Sequence, residues 1–193
     1  KMGKALVISD RKKILLRDEH PDRLTTVIPT AKKVLYKGVE LVVVPHELDE
    51  TKVLNNMGYN IVSPIVTEYE WPSRYEAPML AQRVTSNNLT LDKRHFVLNE
   101  IGTGKTLSVL WAFDYLRRIG KARTMLVVTP LSTMESVWSN EVWEHLPHLQ
   151  CQVLYGSAKR RVSQLEFPAD IYVINHDGLK VPEILAALRA RTD

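Results

Sequence analysis

The chain has 193 residues, 45% of them hydrophobic and 25% charged, which suits one or two domains with a buried core and excludes a disordered or fibrous chain. A net charge of +4 permits a nucleic-acid partner without specifying one, and the single cysteine, Cys151, leaves no internal disulfide or cysteine metal cluster and predicts a reducing, cytoplasmic compartment. No apolar run approaches membrane-spanning length, and the opening "KMGKALVISDRKK" lacks the apolar core of a signal peptide.

In chain order, Ala5 to Ile8 and Ile14 to Leu16 read as a strand pair around "SDRKK". "YKGVELVVVP" reads as a second hairpin turning near Gly38, and "HELDETKVLNNMG" as a short helix closed by Gly58. Residues 1–62 are therefore expected to form a small α+β accessory domain. Pro64, Pro72 and Pro78 cannot share one regular element, so 63–78 is expected to be a connector. From 79 to 193 short apolar runs at 95–98, 124–128, 151–155 and 170–174 alternate with helical patterns at 105–119, 132–146, 158–165 and 178–190. Strands apolar on both faces and alternating with helices predict an α/β domain with a parallel sheet. Ser132 and Glu135 after Pro130 predict a capping box on the second helix.

"NEIGTGKT", Asn99 to Thr106, lies between a predicted strand and a predicted helix. It matches the last three residues of the P-loop pattern and carries Asn99 in place of its first glycine. Gly102 and Gly104, with Thr103 between them, let successive N–H groups converge on one anion, and the helix N-terminus adds its positive dipole. Lys105 is suited to the β- and γ-phosphates and the Thr106 hydroxyl to Mg²⁺, so the site predicts ATP with Mg²⁺. "RDEH", Arg17 to His20, imitates an acidic catalytic motif but lies upstream of the loop and is read as a decoy. His145 and His148 lack further ligands at metal spacing, and Trp138 and Trp143 are expected to pack in the core or an interface. The clusters Arg11–Lys13, Lys32–Lys33 and Lys159–Arg161 read first as solvated faces.

Asn99-Glu100 ahead of Ile-Gly-Thr-Gly-Lys-Thr resembles the loop of the Swi/Snf-like branch of superfamily-two helicases, compact bacteriophage and bacterial members above all. "MLVVTPLSTMESVWSNEVWEHLP" (125–147) resembles their motif Ia, "CQVLYGSAKRR" (151–161) their next strand and turn, and "ADIYVINHDGL" (169–179) the strand after that. In this last motif Asn175 and His176 stand where the family usually has threonines. "APMLAQ" (77–82) resembles the glutamine motif, with Gln82 one residue later than usual. The resemblance implies that 79–193 is a first RecA-like lobe, an incomplete parallel sheet, and that Gln82 selects adenine. It implies DNA-backbone contacts by Thr129, Pro130, Ser132, Gly156, Ser157, Asn175 and His176, with Lys159, Arg160 and Arg161 adding salt-dependent attraction. It further implies a parent that is an ATP-dependent DNA helicase or translocase, with a second RecA-like lobe and an Asp-Glu motif outside these residues. The 193 residues alone are then expected to be inactive. Two readings from other classes stay open: a non-catalytic nucleic-acid-binding module with a relic loop, and a small P-loop phosphotransferase.

Overall fold

The structure, a computed structural model, describes residues 3–75 and 77–193. Residues 1 and 2 of the expected accessory domain and residue 76 of the expected connector lie outside them. The chain divides into two compact units that do not follow chain order: residues 1–70 with 86–96, and residues 71–85 with 97–193.

The first unit is built on a four-stranded antiparallel sheet in the order β1-β2-β4-β3. Strands β1 (Lys4–Ile8) and β2 (Lys13–Arg17) form the first hairpin, and β3 (Lys32–Tyr36) and β4 (Val39–Pro45) the second. Lys37 and Gly38 both have positive φ, 48° and 78°, the backbone that a two-residue hairpin loop needs to match strand twist. A helix absent from the sequence reading, α1 (Pro21–Val27), begins with Pro21 in its first turn, where the missing N–H costs nothing. Helix α2 (Leu48–Asn56) runs to the Gly58 turn as expected. Ile14, Leu16, Val42 and Val44 from the sheet, Leu24 from α1 and Leu54 from α2 form the core. Within the expected connector, Ile65–Glu68 makes one helical turn, α3.

Helix α4 (Leu80–Leu91) precedes the loop segment. The second unit holds helix α5 (Lys105–Arg118) and a three-stranded parallel sheet in the order β5-β7-β6: β5 (Met125–Thr129), β6 (Cys151–Val153) and β7 (Ile171–Asn175). Residues 171–174 of β7 are buried side chain by side chain, as a central parallel strand covered on both faces requires. Helices α6 (Asn140–His145), α7 (Ala158–Glu166) and α8 (Pro182–Arg189) complete the unit. The layout, an α/β unit with a parallel sheet preceded in the chain by a small mixed unit, is the fold class expected from the sequence.

Two expectations fail locally. Residues 95–98 form no strand: among the described residues no ladder pairs them, and Phe96 and Leu98 are 87% and 89% exposed. β-propensity makes a strand only where a neighbour accepts its hydrogen bonds. No capping box forms at Ser132: the segment opens with a 3-10 turn, Leu131–Thr133, and continues as a π-helical stretch, Met134–Ser139, with no side-chain cap. Trp143, expected in a core or an interface, is 70% exposed and so lies outside the core.

Candidate functional site

The glycine loop leads from an irregular segment, not a strand, into α5. Gly102 and Gly104 have φ of 82° and 65°, and Gly104 in left-handed backbone opens α5. A Cβ on Gly104 would collide with the Gln82 amide, so both the backbone and the neighbour demand glycine there. Gln82 is buried. Its Oε1 accepts the Met79 N–H at 2.9 Å and its Nε2 donates to the Gly104 carbonyl at 3.4 Å. The amide therefore backs the loop with one lone pair and one N–H. Asn99 donates from Nδ2 to the Thr85 hydroxyl at 2.9 Å, and Thr85 in turn donates to the Ala81 carbonyl at 2.8 Å.

Lys105 folds over the loop. Its ammonium donates to the Asn99 and Glu100 carbonyls at 3.0 and 2.6 Å, and the Thr103 hydroxyl donates to the same Glu100 carbonyl at 2.9 Å. Among the described residues no Asp or Glu side chain pairs with Lys105. A positive charge held by two neutral carbonyls is free to exchange them for phosphate oxygens, which accept more strongly. The Ser108 hydroxyl and amide close the first turn on the Gly104 carbonyl at 3.0 and 3.1 Å. The backbone N–H groups of Lys105, Thr106 and Leu107 have no intrahelical acceptors at this position. The donor set is that of an anion site at a helix start, and it fits a nucleotide phosphate. Thr85 and Ser108 were not legible as parts of the site. Their signal was positional only: Thr85 follows Gln82 by three residues, and Ser108 sits four after Gly104.

The remaining candidates cluster at one edge of the sheet. β5, β6 and β7 are parallel, so the segments beginning at Thr129, Gly156 and Asn175 all follow carboxyl ends of strands, the ligand-binding edge of open α/β sheets. Pro130, Ser132 and His176 are exposed there. The Thr129 hydroxyl is instead bonded to that of Thr133 at 2.7 Å and is buried. Ser157 caps α7, accepting the Arg160 N–H at 3.3 Å. Arg161 departs from its expected role as a free cation. Its Nε donates to the Gly156 carbonyl at 2.9 Å and its Nη1 to Asn175 Oδ1 at 2.7 Å, so the fixed guanidinium fork ties two of the three loops together. Lys159 and Arg160 stay exposed.

The decoy carboxylate Asp18 lies in the first unit, where it accepts from the Tyr59 hydroxyl and from the His20 amide. His148 Nε2 lies 2.7 Å from Asp114 Oδ1, and His145 Nδ1 accepts the Arg74 amide at 3.2 Å.

The second unit thus combines a left-handed glycine opening a helix, a lysine over the glycine turn and three loops at one edge of a parallel sheet. Residues 88–180 match the model of the SNF2-related domain. A putative protein p41 of the Acyrthosiphon pisum secondary endosymbiont phage 1 is 34% identical over 106 residues, covering 53% of this chain and 23% of that protein. The ATP-dependent helicase FUN30 of Saccharomyces cerevisiae is 32% identical over 119 residues, covering 58% of this chain and 10% of that protein. The Sulfolobus solfataricus SWI2/SNF2 ATPase core in complex with dsDNA is 22% identical with a TM-score of 0.45, covering 56% of this chain and 23% of that one. The chain thus spans less than a quarter of each of these proteins.

Proposed function

We propose that this chain is part of an SNF2-type, ATP-dependent DNA translocase or helicase. In this reading the loop from Asn99 to Thr106 holds ATP with Mg²⁺, and the carboxyl-end loops of β5, β6 and β7 hold a nucleic-acid backbone. The observation that carries it is the Lys105 ammonium poised over a positive-φ glycine turn at the start of α5. Lys105 and the first N–H groups of α5 would hold the β- and γ-phosphates, and the Thr106 hydroxyl would ligate the metal, which supplies charge neutralisation on the phosphates. On this chain's own side, Asn99 and Gln82 keep the loop in shape. Lys105 gives up its two carbonyl partners when phosphate arrives. Gln82 supports the loop through Met79 and Gly104, and adenine selection would use its remaining lone pair and N–H.

At the sheet edge, Ser132, Ser157 and His176 are placed for phosphate contacts that position without reading sequence, with Lys159 and Arg160 supplying the salt-dependent attraction. Arg161, Thr129 and Asn175 hold those loops rather than touching DNA. Titration calorimetry of ATP·Mg²⁺ into the chain and its Lys105→Ala variant tests the reading. Binding is expected in the first and none in the second. Equal binding in both would overturn it.

A further inference from the structure

The first unit carries a surface that the nucleotide site does not use. Residues opposite one another in an antiparallel ladder share a face of the sheet. The register pairs Ile14 with Val44 and Leu16 with Val42 on the face that packs into the core. Alternation puts the intervening residues on the other face. There one row runs across all four strands, Leu6 to Leu15 to Val43 to Lys32. Lys4 stands opposite Arg17 on one side of this row, and Lys13 lies on the other. Tyr36 stands on the same face at the β3 end. Leu6 and Tyr36 are 62% and 60% exposed, and the four cations are exposed as well.

The charge on this face is of one sign. Glu40 is the sole carboxylate within the four strands, and its pairing with Leu35 puts it on the core side. Lys33, on that same side, is bonded to Asp22 and lies 3.6 Å from Glu40. Among the described residues no ion pair engages Lys4, Lys13, Arg17 or Lys32. The two sides of the sheet thus differ. The core side neutralises its lysine, and the outer side leaves four cations around an apolar row with one exposed ring.

We infer that the outer face of this sheet is a docking surface for single-stranded nucleic acid. Unpaired bases offer flat apolar faces to Leu6, Leu15, Val43 and Tyr36, while the phosphates meet the surrounding lysines and arginine. A duplex keeps its base faces stacked inside and would leave the apolar row unmatched. Four strands give a platform about 14 Å wide between the outer two, room for a few unstacked nucleotides. The inference stands apart from the proposed nucleotide site and sheet-edge loops, because none of its residues belongs to either.

Fluorescence anisotropy with a labelled dT20 strand and a 20-base-pair duplex tests it on the whole chain. The Lys4→Glu/Arg17→Glu/Lys32→Glu variant is compared with a control of equal charge change, Lys52→Glu/Lys93→Glu/Lys121→Glu, and with Lys159→Glu/Arg160→Glu. We expect the sheet variant to weaken dT20 binding at least tenfold beyond the control and to lower the log–log salt slope by about 2. Tyr36→Ala, at an exposed position, should weaken it about fivefold. Duplex binding should respond to Lys159 and Arg160 instead. Equal dT20 affinities in the sheet variant and the control would overturn the inference, and so would an equal loss for duplex and single strand, which would mark a general electrostatic effect. Circular dichroism melts of each variant confirm that the fold persists.

Discussion

Tyr59 and Asp18 show what one hydrogen bond does to the pH range of the first unit. The Tyr59 hydroxyl, then the His20 amide, hold the Asp18 carboxyl below the usual carboxylate range. Burial, then the same bond to Asp18, pushes the Tyr59 hydroxyl far up. The lowered acid contributes stability above pH of about 4, lost as pH falls through its folded value. The raised phenol contributes below pH of about 10, lost as pH rises through its folded value. Tyr59→Phe removes the shared bond, so it should cost about 1.5 kcal/mol near neutrality and flatten the stability profile at both ends. Urea unfolding at acid, neutral and alkaline pH measures this; parallel profiles for the two proteins would refute the assignment. At this scale the sequence was most informative where backbone geometry leaves one choice of residue, as at Gly102 and Gly104. It was least informative where a side chain has two uses. Arg161 reads as a free cation beside Lys159 and Arg160, and only the fold shows its fork spent on Gly156 and Asn175. Gln82 likewise reads as an adenine contact while its amide is committed to Met79 and Gly104.

Among elements, those with a strong local signal formed where expected: both hairpins, α2, α5, α7 and the strands β5 and β7. The misses share a cause in partners that sequence does not display. Helix α1 was hidden because "DEHPD" resembles a turn, although Pro21 was the helix-start signal. The stretch from Met134 to Ser139 reads as helix and winds as a π-helix, a distinction of hydrogen-bond register that composition does not carry. The run at 95–98 has strand composition and no ladder. Phe96, Leu98 and Ile101 point into solvent, Ile101 wholly. This segment leads directly into the glycine loop, so the loop is anchored from its other side, through α5, Gln82 and Thr85. Native-state hydrogen exchange should show it. The amides of Val97 and Leu98 should exchange within seconds, while those of Val173 and Ile174, in a strand paired on both sides, should resist for orders of magnitude longer. Comparable protection at the two places would mean that 95–98 is a sheet strand after all.

For the molecule as a whole, the question is what these 193 residues can do with a nucleotide once it is held. Binding draws on few groups, and they are together: Lys105, Thr106, the first amides of α5 and the glycine turn. Turnover asks for more, a carboxylate to hold the metal, a group to orient water and a cation to meet the developing charge. Lys105 bonds only to loop carbonyls among the described residues. Asp18, the one carboxylate whose local sequence imitates a catalytic motif, is spent on Tyr59 and the His20 amide. Arg161, beside the sheet-edge loops, is spent on Gly156 and Asn175. An arginine that meets the transition state is worth about 10³–10⁵ in rate. The expected outcome is therefore nucleotide binding with phosphate release at background, with or without DNA. A phosphate-release assay on the chain, its Lys105→Ala variant and its Asp18→Asn variant decides it. DNA-stimulated release that vanishes in Lys105→Ala would show that a catalytic carboxylate lies within these residues. If it vanished in Asp18→Asn too, the resemblance of "RDEH" to an acidic motif would be functional and its Tyr59 bond a resting arrangement.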